Sequence, residues 1–398
     1  MVKAFSKVLI LSLLVVALAA PAFATTSRVN SLAGTGDYMN DDSNMFRWYG
    51  VLPSYANLVM MEVGSWDGSV DHRGIGVTHA CGEDGKWGTW GLWLLEDVVI
   101  ADNFYMNTPV WYAGWGYNDI GVGMPYNKLA VAWGKEFEAL SLGVNFTRSD
   151  LSVDDETIDT RTDWSFTTVG VGIRTDVGDN AYADLAATIG FGGYDVEAAA
   201  NNSLDKKTAF DFAGRMFYEW KDNVTLVPVA EYMQYEYALE NDTEPYGDKV
   251  RGFLGGIGMN MDVNTNNMFI WGAQVEYYKW EWSSAGDAVD EFTMWNLPRF
   301  FMALESNVKP WLTTRVGAWK SLSKTTQTVG IGDPVEANDI MVTGSDFEWF
   351  LGCGFHIAEF DIDCELGEDA PFNMGYWLTG YENWDNEPIS RISATYHF

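Results

Sequence analysis

Past residue 129 the chain alternates, residue by residue, between apolar and small or polar side chains. This is the mark of an extended strand whose two faces meet different surroundings. In ADLAATIGFGG, Ala183, Leu185, Ala187, Ile189 and Phe191 share one face; Asp184, Ala186, Thr188, Gly190 and Gly192 share the other. RGFLGGIGMNMD sets Phe253, Gly255, Ile257, Met259 and Met261 against Leu254, Gly256, Gly258 and Asn260. EWFLGCGFHIAEFDIDCELG sets Trp349, Leu351, Cys353, Phe355 and Ile357 against Glu348, Phe350, Gly352, Gly354 and His356. No helical period competes over these stretches, so the class is all-β.

Punctuation adds order to the pattern. Short turn signals fall near Lys135–Glu138, Asp176–Asn180, Lys221–Asn223, Asp262–Asn267, Ser306–Lys309 and Ala358–Glu359. Longer polar stretches separate them, at Asp154–Thr160, Ala198–Lys206, Glu240–Asp248, Ser283–Asp290, Ser323–Val342 and Glu368–Glu387. The short turns recur about every 43 residues, the span of two strands of ten or more residues with one turn and one loop. A soluble β-sandwich also alternates, but needs neither strands of near-constant length nor connections sorted into short and long sets. A sheet crossing a bilayer needs both, and must close because lipid cannot satisfy an open edge. The expectation is therefore a closed antiparallel transmembrane β-barrel, its last strand paired with its first.

The two termini fit that reading. Lys3 and Lys7 precede the apolar run Val8–Ala20, and Ala22-Phe23-Ala24 supplies small residues for cleavage, the pattern of a secretory signal peptide rather than an uncleaved anchor. Formal net charge is -32, and loss of Lys3 and Lys7 takes it to about -34, a surface that repels nucleic acid and anionic lipid and favours cations. Aromatics nonetheless make up 15% of the chain, with 19 Trp, so rings and charges must occupy separate surfaces. Three cysteines are too few to staple a small disulfide fold.

The signal peptide, the alternating strands, the short turns set against long loops, and the closing Ile392, Ala394, Tyr396 and Phe398 together resemble a Gram-negative outer-membrane β-barrel protein. The resemblance implies that these four residues form the C-terminal signal read by the barrel-insertion machinery, and that outer-membrane lipid surrounds the chain. Six short turns and the terminal strand account for thirteen strands. Candidates at Asn57–Val63, Arg73–Gly82, Thr89–Asp97 and Pro109–Tyr117 bring the expected count to 16, with 14 as the alternative. The expected division is residues 1–24 as signal, 25–56 as a periplasmic or lumenal segment, and 57–398 as barrel. The segment SRVNSLAGTGDYMNDDSNMFRWYGVLP alternates poorly; its Gly-rich start, its acids and Leu52-Pro53 resemble, more distantly, the N-terminal plug of the FadL-type transporters of hydrophobic compounds.

If the apolar face meets lipid, the inner face carries Asp184, Arg215, Glu231, Glu276, Arg299, Arg315, Glu348, His356, Asp361, Asp363 and Glu365. Charge is costly in hydrocarbon and cheap along a wet lumen. Arg299 and Arg315, on neighbouring strands, are expected to form a basic wall; the alternative is that the charges pair and fill a narrow barrel. With Ala358-Glu359 as a turn, His356 pairs with Asp361 and Cys353 with Cys364. The first pair suits a structural ion pair better than acid–base catalysis, since no nucleophile is fixed beside it. The second is a possible disulfide in an oxidising periplasm, leaving Cys81 free. Trp220, Trp271, Trp280, Trp282, Tyr277, Tyr278, Trp311 and Trp319 are expected near the membrane boundary, with Trp311 and Trp319 facing inward. Acid-rich loops at Asp150–Asp163 and Leu239–Asp248 allow divalent cations to bind, though neither matches a calcium-loop pattern. His72, His79, His356 and His397 lack zinc spacing, and no cofactor or enzyme motif is present, so neither a resident metal nor a cofactor is expected.

The functional expectation is an outer-membrane channel passing small polar solutes, cation-preferring, as a monomer or homotrimer. The alternatives are a FadL-like transporter with an N-terminal plug, or a barrel with no transport role.

Overall fold

The computed structural model describes residues 26–64, 72–96, 127–155, 160–197, 202–205, 208–240, 246–283, 289–331, 338–366 and 389–398. Seventeen strands form one antiparallel sheet. They are β1 (Leu58–Gly64), β2 (His72–Ala80), β3 (Thr89–Glu96), β4 (Asn127–Glu136), β5 (Leu140–Asp155), β6 (Thr160–Asp176), β7 (Ala181–Glu197), β8 (Asn202–Asp205), β9 (Thr208–Lys221), β10 (Val224–Glu240), β11 (Tyr246–Asn264), β12 (Asn267–Ser283), β13 (Val289–Lys309), β14 (Leu312–Ile331), β15 (Asn338–Ile357), β16 (Phe360–Leu366) and β17 (Ile389–His397). The short β8 bridges the far ends of β7 and β10, where β9 has not yet begun. The remaining sixteen close into a barrel.

Closure is made by β17 on β1, from Leu58 opposite His397 to Gly64 opposite Arg391. Even the last residue is tied down, its N–H donating to Asn57 O at 3.0 Å. The ordered C-terminus covers the edge of β1 that β2 leaves open. The six expected short turns all join adjacent strands, and a seventh lies between β2 and β3. The expected strand Pro109–Tyr117 and the signal peptide fall outside the described residues.

The strands differ in length more than constant bilayer thickness suggests. Those of β1–β4, β16 and β17 have 7 to 10 residues, whereas β5–β7 and β9–β15 have 14 to 21. The long ones run on into stretches expected as loops. For Ser323–Val342 this is a correction, since β14 and β15 stay paired out to Val329 opposite Asn338. Lys324, Thr325, Thr326 and Thr328 suit a hairpin standing in water beyond the bilayer as well as they suit a loop.

Before β1 the chain forms a short helix α1 (Thr26–Ser31) and three 3-10 turns, Gly36–Tyr38, Asp42–Phe46 and Tyr49–Tyr55. Asp41 starts the second of these turns: its side chain accepts from Ser43 N, and its own N–H donates to Asn44 Oδ1. The segment lies within the barrel and presses on inward-facing glycines. A Cβ at Gly143 would stand 1.8 Å from Tyr49 O, and one at Gly256 2.1 Å from the Tyr38 hydroxyl. Two apolar clusters fix it. Met45, Phe46, Trp48, Val51 and Leu52 pack on Leu58, Met60, Trp93 and Leu95. Leu32, Tyr38 and Met39 pack on Phe217, Val227, Val229, Leu254, Ile270 and Phe301.

Candidate functional site

The candidate site is the junction between this internal segment and the barrel wall. On one side Arg215, on β9, donates from Nε to Asp184 at 2.8 Å and from NH2 to Asn44 at 2.6 Å. Its NH1 meets the carbonyls of Gly36, Asp37 and Met39 at 3.1 to 3.2 Å. The Gly36 carbonyl also accepts from the Met39 N–H and from Asn44 Nδ2 within the segment, whereas for the Asp37 and Met39 carbonyls the wall supplies the donor. The same guanidinium lies 4.6 Å from the Trp48 ring and 4.9 Å from Phe217. Arg174 shares Asp184 at 2.6 Å. Arg47 reaches from the internal segment to Glu231 at 2.6 Å and back to Asp37 at 3.0 Å. Burial works against its charge, but Asp37 and Glu231 hold the guanidinium above its usual range.

A second set of charges lies across the lumen. Arg28 pairs with Asp41 at 2.7 Å and with both oxygens of Glu305, at 2.8 and 2.9 Å. Glu305 also accepts from Arg315 at 2.6 Å, and Arg315 pairs with Asp363. Asn30 donates to Glu365 at 3.2 Å, and Glu365 lies 3.8 Å from Arg391, which in turn pairs with Glu62 at 3.1 Å. A cavity of about 800 Å³ lies beside this set at the short-turn end, lined in part by Arg28, Asp42, Glu305, Arg315 and Asp363. A smaller one of about 310 Å³ shares Arg28 and Asn40 with it.

Asp184, Arg215, Glu231, Glu276, Arg315 and Asp363 are buried, and Glu365 is half-buried. The expected basic wall does not form. Arg315 is matched by two acids, and Arg299 by Glu276 at 3.3 Å while its guanidinium lies 4.4 Å over Trp319. An unmatched guanidinium in so packed an interior would carry a large desolvation cost. Glu348 is exposed, on β15 opposite Trp319. Trp311 is also corrected: it is exposed at a short turn and stacks on Phe355, while Tyr278 and Trp280 are buried.

His356 and Asp361 meet at 2.5 Å on the short-turn rim, with His397 3.1 Å from the other Asp361 oxygen and Thr313 2.8 Å from His356 Nε2. Thr313 is fully buried and also donates to Asn307 at 2.7 Å. The group stitches β14, β15, β16 and β17 together rather than presenting a nucleophile. Cys353 and Cys364 stand opposite each other as free thiols, not as the expected disulfide; directly opposed strand positions strain that bond. Of the acid-rich loops, Asp150 pairs with Arg148, and the other carboxylates lie outside the described side chains. Among the described residues no three potential metal ligands converge.

Of the internal segment's share of the site, Asp41 was marked in the sequence as one of two adjacent acids, whereas Arg28, Asp37, Asn44 and Arg47, and the partner Glu305, were not singled out. The available signal was that Arg28 and Arg47 are the only two cations of that segment, set among its acids. Further from the short turns the lumen wall has two characters, with buried Met233, Val250 and Tyr278 on one arc and buried Asn145, Thr147, Ser149 and Thr168 on another.

The outer face completes the picture. Leu185, Ile189, Phe191, Phe212, Phe253, Ile257, Trp271, Phe300, Met302, Val316 and Ile392 all point out and are exposed. An apolar girdle around a closed sheet is far larger than the patches a protein in water leaves bare. The chain is a β-barrel of the Gram-negative outer-membrane type.

No family model matches this outer-membrane barrel, and no curated protein matches it either. Among solved structures it is similar to the alcaligin outer-membrane receptor FauA of Bordetella pertussis, at 9% identity over 77% of this chain and 59% of that one, with a TM-score of 0.48. A Pseudomonas aeruginosa FadL homologue aligns over 95% of this chain and 100% of its own, at 11% identity and a TM-score of 0.40. The monoaromatic hydrocarbon channel CymD aligns over 93% and 96%, at 9% identity and a TM-score of 0.36. The barrel spans about half the length of the uptake receptors it matches.

Proposed function

We propose that the protein is a gated outer-membrane transporter whose N-terminal segment, residues 26–55, closes the lumen. The observation that carries this reading is the character of the junction. Apolar packing alone would suffice to seal a barrel permanently, yet the plug is also tied to opposite walls by charged groups, with a cavity of about 800 Å³ at one end. Charged contacts bordering water exchange for hydration at little cost, which suits a gate. The glycines of the inner face give the plug room and leave no wide pore. A small amphipathic solute fits the two-sided wall beyond the plug better than a purely polar one. On this reading Ile392, Ala394, Tyr396 and Phe398, which all point outward on β17 or just past it, serve as the handle for the insertion machinery.

Conductance in a planar bilayer tests the proposal. The refolded mature protein should be silent, and removal of residues 26–55 should open large steps. Steady steps from the intact chain would overturn the gate and restore an open, porin-like channel.

A further inference from the structure

The outward face of β9–β12 stacks three kinds of residue in successive cross-strand rows. Nearest the short turns is a row of small residues, with Ala230 opposite both Gly214 and Gly255. Two residues further along each strand comes an aromatic row, Phe212, Tyr232, Phe253 and Tyr277, each opposite the next. After it comes a cationic row in which Gln234 faces Arg251 and Arg251 faces Lys279. Side chains two apart share a face, so the rows climb by about 6–7 Å each toward the side of the longer loops.

The small row leaves a hollow of about 530 Å³, bounded by Val171, Leu185, Phe212, Tyr232 and Phe253. A Cβ placed on Gly214 would meet only the Leu185 side chain, at 3.2 Å, and no described segment fills the space. Tyr232 points its hydroxyl toward the cationic row, donating to Gln234 at 3.2 Å.

Arg251 and Lys279 stand directly opposite each other, with the Glu281 carboxylate within reach of both. Lys279 has Glu281 at 2.9 Å and Glu291 at 2.8 Å. Arg251 has only Glu281, at 3.9 Å, and makes no hydrogen bond among the described residues. Its fork of donors therefore stays available beside the apolar hollow.

We propose that this face binds a phosphate-bearing, acylated lipid of the outer leaflet, with an acyl chain in the hollow over Gly214 and Ala230 and a phosphate across Arg251 and Lys279. Apolar floor, aromatic band and cationic edge follow one another in the order of the tail, boundary and headgroup of such an amphiphile. The charge at one end of the hollow is what favours a lipid over a second copy of the chain.

Native mass spectrometry of the intact folded protein, mixed with bisphosphorylated lipid A and its dephosphorylated counterpart at equal concentration, tests this. The wild type should retain the phosphorylated form at least tenfold better. A double R251Q/K279Q variant should lose that preference while still retaining lipid, and a G214V/A230L variant should lose both lipids. Folding of each variant is checked by the heat-dependent shift in gel mobility. Equal retention of the two lipids by the wild type, a comparison needing no variant, would overturn the proposal. So would unchanged binding by both folded variants, or disulfide cross-linking of two chains through Ala230→Cys, which would give the hollow to a second copy.

Discussion

The plug is held at two ends by the same chemistry, and the ends differ in their access to water. At one, the Arg215 and Asp184 side chains are 0% and 1% exposed and the surrounding carbonyls are all engaged. At the other, Arg28 and Glu305 are 23% and 14% exposed and border the larger cavity. Coulomb attraction is strong in the first place only because water is absent, and for the same reason a lost partner there cannot be replaced. At the second end, water can take over each bond as it breaks. The Arg28 end is therefore the one that yields first if the plug moves.

Removing the sealed anchor should have the largest effect. Arg215→Met keeps the bulk but takes the Arg215 donor from the Asp37 and Met39 carbonyls and leaves Asp184 to Arg174 alone. A loss of about 3–5 kcal/mol in plug docking is expected, the usual cost of stripping one partner from a buried charged group. Limited proteolysis of the N-terminal segment in the folded barrel reads it directly. Protection equal to the wild type would erase the distinction between the two ends.

Arg28→Gln should be milder, about 1 kcal/mol, because the carboxylates it leaves behind can hydrate from the cavity. The segment near residue 28 should become cleavable while Trp48 and its neighbours stay protected, and brief conductance steps should appear on a silent background. If cleavage instead spread evenly from residue 26 to 55, the plug would leave as one body and the pivot would be wrong.

Much of this architecture was legible in the sequence because a β-barrel writes its faces into alternate residues. The turn at Ala358-Glu359 alone sets the register that brings Cys353 opposite Cys364 and His356 opposite Asp361. Strand ends were less legible, since Lys324 to Thr328 suit a loop and a hairpin standing in water equally well. The plug was the least legible part. Its turns obey no period, and its contacts join residues as far apart as Arg28 and Glu305, which only closure of the barrel brings together. Gly143, Gly256 and their neighbours show why the inner face alone does not choose between a pore and a packed segment: small residues serve both, and only the partner tells them apart.

The smallest effect belongs to Asp42, at the wet end. Burial first, and then the carboxylate of Asp41, hold its carboxyl well above the usual range, and Thr395 donates to it at 3.3 Å. A carboxyl raised in the docked state favours docking in its neutral form. Its contribution is whole below the free value of about 4 and is lost as pH climbs through the docked value. Mild acid should thus tighten the Arg28 end through this group, while the sealed end, where Arg215 pairs with Asp184, should not follow. Asp42→Asn, which mimics the neutral carboxyl at every pH, should flatten that part of the protection profile from about pH 4 upward and leave cleavage near Trp48 unchanged. A slope that survives the substitution would show that Asp42 is not the group that titrates.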